Sequence, residues 1–114
     1  MTDNKSGLPT PKRVGPPVVE PVTLGTLRFE AVPWGRERGL QQNGGYIEAF
    51  DAATGAAQWL LRIYAINYRD DLEEDVQDLF IEELKAGPRG KLTVIDEQGR
   101  RFLVDPATRS VTPR

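Results

Sequence analysis

The run AAQWLLRIYAINY, residues 56–68, constrains the fold more than any other stretch. It is dense in aromatic and β-branched side chains, which suit a pleated, half-buried surface. Trp59, Leu61, Ile63 and Ala65 share one parity, and Leu60, Tyr64 and Ile66 the other. Alternate strand residues point to opposite faces, so apolar groups on both parities predict a central strand covered on both sides. Shorter runs accompany it. TLRFEAVPW (26–34) alternates in its first half and ends at an edge or bend, because Pro33 lacks a ladder donor. GYIEAFD (45–51), KLTVID (91–96) and RFLVD (101–105) read as strands, the last two joined by a tight turn through Gly99. SVTP (110–113) reads as an edge strand. The expected fold is mainly β: a small antiparallel meander, or curled sheet, of five to six strands with one short acidic helix.

That helix comes from RDDLEEDVQDLFIEEL, residues 69–84. Asp70 or Asp71 is a natural N-cap, with Glu73 or Glu74 completing a capping box. Leu72, Val76, Leu79, Phe80 and Leu84 form a helical stripe. LFIEEL, however, is also β-capable. Two readings stand: a helix over 71–77 followed by a strand over 79–85, or an α+β fold with one helix spanning 71–85. GRERGLQQNGG (35–45), with four glycines among charged and amide side chains, reads as an ordinary or flexible loop. Residues 1–23 hold five prolines and read as a flexible, extended tail, which leaves residues 24–114 as a single small β-rich domain.

Residue content removes whole classes of chemistry. The chain has no Cys and no His, so thiol chemistry, disulfides, imidazole bases and the usual zinc ligands are absent together. No cofactor motif is present, so no cofactor is expected. The formal net charge is −2, which disfavours a general nucleic-acid binder. The charge is nevertheless segregated: residues 70–84 carry eight carboxylates and no base, while the basic residues Arg89, Lys91, Arg100 and Arg101 follow. No apolar run is long enough for a membrane helix, and the opening residues lack the apolar core of a secretory signal, so the cytoplasm is the expected compartment.

One turn occurs twice. GYIEAFDAATGAAQ from Gly45 aligns with GRRFLVDPATRSVT from Gly99: glycine, then aspartate six positions on, then threonine three further. An aspartate at a turn entrance accepts backbone N–H groups, threonine does the same more weakly, and glycine takes the left-handed position that follows. Asp51, Thr54, Gly55 and Trp59, with Asp105 and Thr108 in the echo, are therefore expected as structural turn residues. The segment IEAFDAATGAAQW resembles the A-x-D-x-x-T-G-x-x-x-W signature of quinoprotein-type β-propeller blades, through Ala49, Asp51, Thr54, Gly55 and Trp59. The resemblance implies packing roles for these residues, with the tryptophan between neighbouring blades. A propeller needs at least four blades, and this length holds two at most. The last 70 residues are also similar to small bacterial proteins with an acidic LExDVQ-like segment.

No reaction is specified. The acidic cluster lacks the spacing of a calcium loop, and serine or threonine nucleophiles have no histidine partner. The sequence therefore points away from an enzyme and towards a protein-interaction or structural module whose partner is another protein. The interaction candidates are Trp34, Arg36, Arg38, Tyr68, Asp71, Glu74 and Asp75. The alternative is a small carboxylate-dependent hydrolase, or a protein that binds a divalent metal through the acidic cluster.

Overall fold

The computed structural model describes residues 15–114. Residues 1–14 of the expected tail lie outside it. The strands, in chain order, are β1 (Val22–Leu24), β2 (Leu27–Val32), β3 (Tyr46–Asp51), β4 (Ala57–Arg62), β5 (Ile81–Ala86), β6 (Leu92–Asp96), β7 (Arg101–Asp105) and β8 (Ser110–Pro113). They form two four-stranded antiparallel sheets in simple meander order, β1-β2-β3-β4 and β5-β6-β7-β8. The expectation of one sheet of five to six strands is thereby corrected. The propeller resemblance is corrected as well: the two sheets are separate and flat, and nothing closes or curls.

The expected helix is corrected too. Between the sheets, Glu74–Gln77 makes one helical turn, α1, with no longer helix around it. The helix over 71–85 is absent, because Ile81–Ala86 pairs along β6. Of the expected stripe, Phe80 and Leu84 are buried, Leu84 on β5, and Leu79 is half-buried just before that strand. Phe80 and Ile81 enter the core at the start of β5, and Leu84 follows on the same strand. One helical turn is too little to nucleate a stable helix, and tertiary pairing takes the β-capable residues.

The run 56–68 is also placed differently from expectation. It is an edge strand that leaves the sheet at Arg62. Its second half is apolar because it crosses to the other sheet: Tyr64 stacks on Phe102 of β7, with ring centroids 5.5 Å apart. Ile63 and Tyr64, of opposite parity, are thus both buried in the core that the two sheets share. Phe29, Ile47, Ala49 and Ile63 from the first half meet Ile81, Leu84, Leu92, Val94 and Val104 from the second in one core. The sheets approach most closely where β1 and β2 meet β5. β6 is buried along its whole length.

β1 crosses the expected boundary at residue 23. Val19 and Val22 pack against the core, and Pro16 and Pro17 share a small cavity with Pro33 and Phe80. No helix of the described residues is long and apolar enough to cross a membrane.

Candidate functional site

The loop between β2 and β3 ties the two sheets together. It opens with a 3-10 turn, Gly35–Arg38. Three of its four glycines, Gly35, Gly44 and Gly45, are required by close contact, and Gly39 takes a left-handed conformation in open space. A Cβ on Gly44 would lie 2.2 Å from the Leu79 carbonyl oxygen. Gln42, read as part of a loop, is only 2% exposed. Its Nε2 donates to the carbonyls of Gly44 and Tyr64, and its Oε1 accepts from the Ile66 N–H, each at 2.8 Å. Both polar atoms of its side chain are satisfied, as burial demands. Gln42 is the residue that sequence reading missed. Its signal was faint: a long amide flanked by glycines, able to follow a backbone closely.

Beside it lies a buried polar cluster. Asp78 is 5% exposed. It accepts from the Tyr68 hydroxyl at 2.5 Å and from Asn43 Nδ2 at 3.1 Å. The Asn43 N–H donates to the Tyr68 oxygen at 3.4 Å. The Arg36 guanidinium lies 4.5 Å from the Tyr68 ring centroid, and the Arg36 N–H donates to Asn43 Oδ1 at 3.2 Å. Burial, reinforced by the Asp78 hydrogen bond, pushes the Tyr68 hydroxyl up to about 12. Burial and the field of Asp96 raise the Tyr64 hydroxyl as well. Tyr64 donates to the Leu79 carbonyl at 2.7 Å. Arg100 closes this side: it pairs with the fully buried Asp96 at 2.6 Å and lies over the Tyr64 and Phe102 rings.

Of the expected interaction residues, the fold brings together Arg36 and Tyr68, with Trp34 at the end of β2 beside them. Trp34 is 41% exposed, and its ring meets Phe80 edge-on at 5.6 Å. It overlooks a cleft of about 260 Å³ shared with Glu30, Glu37, Arg38 and Glu48. Arg38 turns to the outer face of the first sheet, in a two-pronged pair with Glu48 at 2.8 and 3.0 Å. The Glu48 hydrogen bond holds the Arg38 guanidinium above its usual range. Asp71 stands apart, paired with Arg69 at 2.7 Å on the surface. Glu74 and Asp75 supply backbone to α1, and their side chains lie outside what the structure describes.

The two D-x-A-T turns share one construction. Asp51 Oδ1 accepts from the N–H groups of Ala53 and Thr54, each at 2.9 Å. Those bonds, the Thr54 one first, lower the Asp51 carboxyl. Asp105 Oδ1 accepts from the Ala107 N–H at 2.9 Å. Both turns close with an N–H to carbonyl bond of 2.7 Å, Gly55 to Asp51 and Arg109 to Asp105. In both, threonine Oγ1 receives the N–H two residues on, from Ala56 at 3.2 Å and Ser110 at 3.3 Å. Gly55 and Arg109 take the left-handed conformation, at φ 79° and 61°. Trp59 packs on Phe29 at 5.8 Å and lies 5.1 Å below the Arg109 guanidinium. It therefore joins one turn's strand to the other turn.

A second groove, about 610 Å³, lies on the far side of the polar cluster, walled by Ile66, Val76 and Leu79 and rimmed by Asn67, Gln77, Gln98 and Arg100. Gln77 is fully employed in binding the backbone of residues 69–73. Glu97 Oε1 accepts from the Phe80 N–H at 3.0 Å. Among the described residues, no three or more His, Cys, Asp or Glu side chains gather where they would hold a metal ion. Comparison with protein-family models gives no match, and neither a curated protein nor a solved structure matches the chain.

Proposed function

We propose that this chain is a non-enzymatic protein-interaction module anchored at the Trp34 corner. One observation carries the reading: Trp34 leaves 41% of its surface in solvent while its ring is already seated on Phe80. An anchor fixed before binding loses little side-chain entropy on contact, and tryptophan is prominent among residues that dominate interface energetics. The adjoining cleft, with Glu30, Glu37 and Glu48, supplies a polar rim. The carboxylate alternative lacks comparable support, since Asp71 is paired with Arg69 and Asp78 is bound to Tyr68 and Asn43. The reading takes the bacterial cytoplasm as its working compartment.

The test is affinity capture from the source cells with wild type and Trp34→Ala in parallel, each checked by thermal melting. Trp34→Ala should lose a captured protein that wild type retains and should melt within a few degrees of it. Equal capture by both would end the proposal.

A further inference from the structure

The chain passes the Trp34 corner before it forms the first sheet. β1 pairs antiparallel with β2, with Leu24 opposite Leu27 and Val22 opposite Phe29. Traced backwards from Val22, the chain therefore runs beside the far end of β2, towards Pro33 and Trp34. The contacts agree with that path. Pro16 and Pro17 share their small cavity with Ala31, Pro33 and Phe80. Ala31, Val32 and Pro33 also line the Trp34 cleft, and Phe80 is the ring on which Trp34 sits. Residues 9–13, Pro-Thr-Pro-Lys-Arg, come two to six positions before Gly15. At about 3.3 Å per residue, they reach no further than about 20 Å from Gly15.

From this path we infer that the Trp34 cleft takes residues 9–13 of its own chain as a ligand. Pro9 and Pro11 supply the flat apolar rings that an exposed indole accepts, as when proline-rich segments dock on aromatic residues. Lys12 and Arg13 supply the charge. Glu30 and Glu48 are already engaged by Arg28 and Arg38. Glu37 is exposed and, among the described residues, has no ionic partner, so the base goes to Glu37. The path of the chain names the occupant, and the charge orients it. A ligand tethered this closely is present at an effective concentration on the order of millimolar. A partner at Trp34 must displace it, and that partner's apparent affinity falls by the fraction of chains whose cleft is open. The inference rests on the interaction reading and adds its regulation.

The test follows the Trp34 indole N–H resonance of the full chain by NMR, with the Trp59 indole as internal reference. Lys12→Glu combined with Arg13→Glu should shift the Trp34 resonance and leave Trp59 in place. Added salt should carry the wild-type resonance towards the same position. In a Glu37→Lys chain the sense should invert: the same two reversals restore docking, and the resonance moves the opposite way. In affinity capture, the chain with both reversals should retain more of the Trp34 partner than wild type does. A Trp34 resonance that is the same in the wild-type and reversed chains would overturn the inference. So would a shift of the same sense in the Glu37→Lys chain. Loss of capture by Trp34→Ala would survive that failure, and the resonance shift would survive the absence of any captured partner, so the two proposals fail separately.

Discussion

At the scale of single residues, positive φ separates two arginines that otherwise look alike. Arg89 and Arg109 both adopt the left-handed conformation, at φ 57° and 61°, which disfavours a residue with a Cβ by about 1–2 kcal/mol. Arg109 recovers part of this by covering Trp59, a contact worth about 0.5–1 kcal/mol at an exposed site. Among the described residues, no ring contact or ion pair offsets the strain at Arg89, which sits on the exposed turn before β6. Arg89→Gly should therefore stabilise the fold by about 1 kcal/mol, while Arg109→Gly should fall within about 0.5 kcal/mol of wild type. Urea denaturation of the two variants measures both. Equal gains would show that the Trp59 contact has no weight.

At the scale of elements, the β2–β3 loop and the β3–β4 turn both contain glycines, but for different reasons. Gly44 is pressed against the Leu79 carbonyl, whereas a Cβ on Gly55 would enter open space. Gly44→Ala should destabilise by about 3 kcal/mol, the upper end of overpacking, and Gly55→Ala by about 1 kcal/mol from conformation alone. Thermal melts should rank them in that order, and the reverse order would refute the contact. The same comparison shows what was legible in advance. The turn at Asp51 announces itself because its hydrogen bonds are local: aspartate, threonine and glycine are neighbours in the chain. So are most β-strands, through their alternation. Gln42 and Gly44 were hidden because their partners, Tyr64, Ile66 and Leu79, are remote in sequence. The segment 71–85 misled because its spacing satisfies a helix locally, while pairing of Ile81–Ala86 with β6 decides otherwise. The edge position of β4 was hidden for a related reason. Burial on both parities came from crossing between sheets, which periodicity does not distinguish from a central strand.

At the scale of the whole molecule, two tyrosines sit where the sheets join. Tyr64 bonds Leu79 and stacks on Phe102, and Tyr68 bonds Asp78. Both hydroxyls are raised above the ordinary tyrosine value of about 10. A raised acid favours the protonated folded form. The stability they lend is therefore full below about pH 10 and drains as pH rises through the Tyr68 value of about 12. The melting temperature should hold from neutral pH to about pH 9 and fall above about pH 10. Tyr68→Phe should be less stable than wild type at neutral pH, with the gap narrowing as the pH climbs. A gap that stays constant to about pH 12 would remove Tyr68 from the account.

The junction also carries a chemical clock. Asn43 is followed directly by Gly44, the pairing in which the following backbone nitrogen most readily attacks the asparagine side-chain carbonyl, expelling ammonia to leave a cyclic imide that water then opens to aspartate or isoaspartate. Here the Asn43 amide is held by Asp78 and by the Arg36 N–H, which keeps it from the attacking geometry while the sheets stay joined. Any opening of the junction releases it. Once converted, residue 43 would set a new carboxylate against Asp78, and the junction would close less well than before. Ageing at this one position would thus record how often the two halves have parted.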